Sequence, residues 1–154
     1  KSLSSLGGSW FNNISYVPQS IYLFDDNIKK NITLSEKVEI DEEHFLKCIE
    51  AAELKNFISK LPNKENTQIG EVGSKISGGQ KQRIGIARAL YKKSEIIILD
   101  EATNAVDDIT EKKIYLNLNS FKNKTFIVIN HREIPEELNY NKNLIKEKKL
   151  KLNV

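Results

Sequence analysis

Two stretches organise the chain: Ile76-Ser77-Gly78-Gly79-Gln80-Lys81-Gln82-Arg83 and, shortly after, Ile96-Ile97-Ile98-Leu99-Asp100-Glu101. The first reads as a helix start. Ser77 followed three residues later by Gln80 has the spacing of a capping box, in which each side chain satisfies a backbone N–H of the other. The helix it opens carries Ile84, Ala87, Leu90 and Tyr91 on one side and ends near Lys92-Lys93, where cations suit the helix dipole. Two glycines in a first turn are poor helix formers, so a well-capped surface helix explains them badly. They leave the first amides uncovered by side chains, and an anion can approach a helix N-terminus of that kind closely. The second stretch is aliphatic, flanked by charges and rich in β-branched residues. It reads as a fully buried strand that delivers Asp100 and Glu101 to its carboxyl end.

Working outward, residues 108 to 121 read as a helix with Ile109, Ile114, Leu118 and Phe121 turned inward. Thr125-Phe126-Ile127-Val128-Ile129 reads as a second buried strand. Strand, helix and strand of these lengths make a βαβ unit with parallel strands and a right-handed crossover. Upstream, Ile14-Ser15-Tyr16-Val17 is a short strand stopped by Pro18. Asp25-Asp26 offer N-caps for a short helix carrying Ile28 and Ile32. Asp41 caps another with Phe45, Cys48, Ile49 and Ala52 on one face. Leu54, Phe57, Ile58 and Leu61 repeat at helical spacing until Pro62. Residues 25 to 93 are thus mostly helical, and the tail from about 143 to 152 reads as a hairpin. The fold class is α/β.

At 154 residues the chain is long enough for one domain with a core. A net charge of +3 is too weak to argue for nucleic acid. The lysines at 142, 146, 148, 149 and 151 alternate with Leu and Ile as on the wet face of short strands. Cys48 is the single cysteine, so an internal disulfide is impossible and a core thiol is expected. Aliphatic runs stop at four residues, against the ~18 that span a bilayer. Of 24 basic residues only Arg83, Arg88 and Arg132 are arginine, each in or beside a motif. Either a fork-shaped guanidinium is needed there or the composition is simply lysine-biased.

In parallel α/β sheets ligands gather at the carboxyl ends of strands. A strand-final Asp100 is placed to hold Mg²⁺, and Glu101 to polarise an attacking water. Alone, such a pair is more often an exposed acidic turn. His131 follows the second strand and is expected on the same edge, where it can donate to a terminal phosphate. Gln19, just after the first strand, can reach a metal ion or its water. His44 falls on the polar side of its helix and has no assigned role.

In order and spacing these elements resemble the nucleotide-binding domain of ATP-binding cassette transporters. Tyr16-Val17-Pro18-Gln19-Ser20 is similar to the family's Q-loop and Ile76 to Arg83 to its signature motif, with Ile76 where Leu is usual. Residues 96–101 resemble the Walker B strand with its catalytic glutamate. Asn104-Ala105-Val106-Asp107 resembles the D-loop, and His131-Arg132 the switch-histidine region. The wording from Tyr22 to Ile28 is similar to the exporter branch.

The resemblance implies a partial P-loop NTPase core, a parallel sheet with flanking helices, plus an inserted α-helical subdomain. The segments are residues 1–24 with the Q-loop, 25–93 with the signature, and 94–154 with Walker B, D-loop and switch histidine. It implies ATP and Mg²⁺ as cofactors, Glu101 and His131 as catalytic, and Asp100 and Gln19 as metal-binding. Ser77, Gly78, Gly79 and Gln80 would face the ATP of a second nucleotide-binding domain, with Asp107 in the D-loop. The other partner would be a transmembrane domain, placing the chain at the cytoplasmic face of a membrane, and no nucleic acid is expected. None of the seven glycines precedes a lysine, so the Gly-Lys-Ser/Thr of a phosphate-binding loop is not in these 154 residues. The chain is therefore expected to be the C-terminal portion of an exporter ATPase domain and inactive in isolation. The alternative is a non-catalytic cassette that completes a partner's ATP site through its signature.

Overall fold

The computed structural model describes residues 12–34, 39–69 and 76–132, and the backbone of two strands at 144–146 and 149–151. Strand β1 (Ile14–Val17) leads into the short helix α1 (Ile28–Thr33). Its cap is Asn27, whose side chain accepts from the Lys30 N–H, and not Asp25 or Asp26. Asp26 instead accepts from the Asn27 N–H at 2.7 Å and from Lys30 Nζ at 2.9 Å. Helix α2 (Glu42–Ala51) is capped by Asp41 as expected, with Phe45, Cys48 and Ile49 buried. Helix α3 (Lys55–Ser59) and a single 3₁₀ turn (Lys64–Asn66) follow.

Helix α4 (Gly78–Tyr91) starts with the full capping box between Ser77 and Gln80. It is the hub of the fold: α1 and α2 pack on it, and it packs on β1 and β2 (Ile96–Asp100). Its burial is accordingly wider than the single apolar side that the sequence suggests, taking in Gln82, Gly85, Ile86 and Ala89 as well as Ile84, Ala87 and Leu90. Gly85 lets Ile21 pack closely on the helix, since a Cβ would come within 2.5 Å of the Ile21 side chain and displace it.

Helix α5 (Asp108–Leu118) joins β2 to β3 (Thr125–Ile129). Ile114, Leu118 and Phe121 are buried, but Ile109 is 72% exposed. Five residues at roughly 100° each put Ile109 about 140° around the helix from Ile114, off the buried stripe. The three strands form one parallel sheet in the order β1-β2-β3, as the βαβ reading requires. Neither β2 nor β3 is fully buried. Along β2 burial alternates, with Ile97 and Leu99 inside and Ile96 and Ile98 half-exposed. On β3 the exposed positions include Ile127 and Ile129. Among the described residues helices cover one face of the sheet only, and alternation follows from that. Strands β4 (Leu144–Lys146) and β5 (Lys149–Lys151) pair antiparallel as the expected hairpin. The side chains of the tail lysines lie outside the described residues.

All three arginines use their forks on backbone carbonyls. Arg83 donates to Gly79 O and Glu53 O, Arg88 to Asn31 O and Tyr22 O, and Arg132 to Val106 O and Asn104 O. Lysine cannot hold two such directions at once with a planar group. Cys48 is a core thiol, its pKa pushed up to about 12 by burial. His44 is not simply on a wet face: it lies 3.7 Å from the Cys48 sulfur and packs on the Tyr91 ring, and burial lowers its pKa.

Candidate functional site

The register aligns Val17 with Leu99 and Leu99 with Val128, so all three strands end at one edge. Gln19, Asp100, Glu101 and His131 leave the sheet there. Asp100 Oδ2 accepts from the Tyr16 hydroxyl at 2.6 Å, a hydrogen bond that raises the Tyr16 pKa. Tyr16 has no polar signature in the sequence beyond standing two residues before Pro18. Its reach to Asp100 depends on the β1–β2 pairing.

Glu101 has φ 49°, in the left-handed region that few non-glycine residues adopt. Its N–H donates to Ile129 O at 2.9 Å, and its C=O accepts from the Asn104 N–H at 3.2 Å. The carboxylate is held at both oxygens. Oε1 lies 2.7 Å from His131 Nε2, and Oε2 accepts from Asn104 Nδ2 at 2.6 Å. The glutamate side chain is mostly covered whereas His131 is open to solvent. A covered carboxylate, aimed by its backbone and two neighbours, can accept a proton from a bound water, and a histidine beside it can donate to an anion.

The glycines of α4 have a neighbour that their sequence does not announce. A Cβ on Gly79 would stand 2.6 Å from Ala105 O, and one on Gly78 would stand 3.3 Å from Ala105 Cβ. The loop after β2 therefore lies directly against the first turn of α4. Asp107 closes that loop as the N-cap of α5, accepting from the Thr110 N–H at 3.0 Å, which lowers its pKa. Gln82, one turn into α4, donates to Glu101 O at 3.2 Å and Gln19 O at 3.4 Å and accepts from the Ala105 N–H at 2.8 Å. The helix start, the loop and the strand-end acids thus form one connected structure.

His131 is braced from both sides by a buried carboxylate. Glu111 accepts from Thr103 Oγ1 at 2.5 Å, Asn130 Nδ2 at 3.1 Å and Arg132 Nη1 at 3.3 Å. Tyr115 completes the cluster with its hydroxyl 3.0 Å from Thr103 Oγ1, and burial raises its pKa to about 12. Glu111 looks in the sequence like one more helix acid, because its partners apart from Tyr115 lie in other segments.

The donor set suits Mg²⁺. Asp100 and the Gln19 amide offer hard oxygens at one edge, and Mg²⁺ is usually held by one or two carboxylates with phosphate and water completing its shell. No group of three or more His, Cys, Asp or Glu side chains forms a dedicated metal cage among the described residues. Mg²⁺ does not need one.

The sheet is parallel, with an acid pair, an amide and a histidine gathered at its carboxyl edge beside a glycine-led capped helix, and the class is an α/β domain with its polar groups where such sheets collect ligands. Residues 7–104 match the ABC transporter family, and the chain belongs to it. It is 43% identical over 122 residues to an ATP-dependent lipid A-core flippase of Shewanella denitrificans, a match covering 79% of this chain and 20% of that protein. It is 42% identical over 120 residues to the mesentericin-Y105 transport/processing ATP-binding protein MesD of Leuconostoc mesenteroides, covering 78% and 16%. A solved bacterial Atm1-family ABC exporter with ATP bound superposes with a TM-score of 0.71 at 38% identity, covering 79% of this chain and 21% of that one. The chain spans about a fifth of the length of these relatives. No helix among the described residues is long and apolar enough to cross a membrane.

Proposed function

We propose that this chain is the ATP-hydrolysing, nucleotide-binding portion of a membrane exporter. The observation that carries the reading is the 2.7 Å approach of His131 to Glu101 at the strand ends, beside Asp100. Glu101 takes the proton of the attacking water, and His131 holds the terminal phosphate. Asp100 and Gln19 would hold Mg²⁺, which when bound would neutralise charge on the phosphate oxygens. Ser77, Gly78, Gly79 and Gln80 present the start of α4 to nucleotide held by a second nucleotide-binding domain. Asp107 keeps the adjoining loop in place as the cap of α5. The working segments are residues 1–24, 25–93 and 94–154. The partners are that second domain and a transmembrane domain, and the site of action is the cytoplasmic face of the membrane. The relatives named as a flippase and as a transport/processing protein support export, and the ATP-bound exporter structure supports the nucleotide.

The test is Mg²⁺-dependent ATP turnover by the complete transporter assembly in membrane vesicles. Turnover that stops when Mg²⁺ is chelated is expected. The 154-residue polypeptide alone is expected to be silent, because no Gly-Lys-Ser/Thr stands in it. An assembly that binds ATP but never hydrolyses it would point instead to a non-catalytic cassette acting through its signature.

A further inference from the structure

We propose that Gln82 is a positioning residue for Glu101, holding the backbone of that glutamate and the loop at Ala105 in register with the first turn of α4; this rests on the hydrolytic role proposed for Glu101. Gln82 is 5% exposed, on a helix whose other buried residues are almost all apolar. Burying an amide is costly unless its polar atoms are paired, and packing alone would be served by an apolar residue of the same volume. The Gln82 amide is paired at both ends. Nε2 donates to Glu101 O and Gln19 O, and Oε1 accepts from the Ala105 N–H. One side chain thus ties α4 to the segment after β1, to the end of β2 and to the loop before α5.

The contact to Glu101 has a specific target. A non-glycine residue in the left-handed region is strained and persists only where its surroundings over-determine it. Three bonds hold the Glu101 backbone at φ 49°: its N–H to Ile129 O, and its C=O from the Asn104 N–H and from Gln82. Only the Gln82 bond comes from α4, the helix that carries Gly78 and Gly79. A shift of that helix against β2 therefore acts on Glu101 through Gln82. Because Ala105 O also lies against Gly79, the same side chain stabilises the seam between the helix start and the loop.

Two substitutions separate the arms. Gln82→Met keeps the volume and removes both. Gln82→Glu keeps an acceptor for Ala105 but sets a carboxylate against two carbonyl oxygens. In the complete assembly, Gln82→Glu is expected to lower kcat by about tenfold or more with KM for ATP changed less than about twofold, the pattern of a misaimed group. In a Glu101→Gln background the same substitution is expected to change the residual single-turnover rate by less than about twofold, since a residue acting through another is not additive with it. Hydrogen exchange of the nucleotide-free protein supplies a readout independent of turnover. Gln82→Met speeds exchange across residues 101–106 while residues 84–91 stay protected. Equal loss in both Glu101 backgrounds, or unchanged exchange over 101–106, overturns the proposal. If the wild-type assembly does not hydrolyse ATP, the functional reading fails, and the exchange result still decides whether Gln82 holds this loop.

Discussion

His131 Nε2 and Glu101 Oε1 stand 2.7 Å apart although the two residues follow different strands. The contact needs parallel pairing, equal strand ends and a left-handed turn at Glu101 that points its carboxylate along the sheet edge. His131 is 84% exposed at its side chain, so its removal should leave the fold intact. His131→Ala is expected to lower ATP turnover of the complete assembly by at least about tenfold, the scale of a lost acid–base or donor group. Its unfolding midpoint should match wild type, as read by denaturant titration followed by circular dichroism.

Gly79→Ala puts a Cβ against a backbone oxygen, while Gly78→Ala meets only another side-chain carbon. Overpacking against backbone costs about 1–3 kcal/mol, so Gly79→Ala should destabilise clearly and Gly78→Ala by less. Parallel urea unfolding of the two variants checks the order.

This contact also marks the limit of what the residues announce by themselves. The capping box at Ser77 and Gln80, the Asp41 cap, both βαβ strands and the tail hairpin depend on neighbours within a few positions, and all were legible. The cap of α1 was not, because Asn27 competes with two aspartates beside it. Ile109 is exposed because it lies beyond the angular width of the buried stripe of α5. The half-exposed β2 and β3 follow from which sheet face is covered, which composition does not report. At the site, strand order brings the four edge residues Gln19, Asp100, Glu101 and His131 together. The contacts of Tyr16, Gln82 and Glu111 are hidden because each reaches partners in other segments, and that of Asn104 because it depends on the left-handed turn at Glu101. The glycines leave room for an anion, and Gly79 also makes room for Ala105.

Glu111 is buried and has four donors aimed at it, from Thr103, Tyr115, Asn130 and Arg132. Glu111→Ala removes the carboxylate that Thr103, Tyr115 and Asn130 donate to and one of the partners of Arg132, and breaking a buried charged network costs about 3 kcal/mol or more. We expect a loss of that size in denaturant unfolding, with a smaller loss for Glu111→Gln, which keeps one acceptor oxygen. An equal effect of the two variants would argue that volume, not hydrogen bonding, is what Glu111 supplies.

Cys48 has its pKa raised from an ordinary 9.0 to about 12 by burial. Above pH 9 the unfolded chain releases this proton while the folded one keeps it, so stability is full below pH 9 and falls as pH rises toward 12. Tyr115, raised from 10.0 to about 12, adds to the fall above pH 10. Unfolding free energies at a series of alkaline pH values should decline more gently in Cys48→Ala than in wild type. A thiol reagent at neutral pH should label Cys48 only at the rate of opening.

Hydrolysis in the proposed mechanism depends on Glu101 as the group that takes the proton from water. The direct measurement is single-turnover hydrolysis of labelled ATP by the complete assembly carrying Glu101→Gln, with ATP affinity measured on the same sample. The rate is expected to fall by at least about a hundredfold, since removing a proton acceptor costs about 10²–10⁴, with ATP bound as tightly as by wild type. Hydrolysis within a factor of two of wild type would contradict that mechanism.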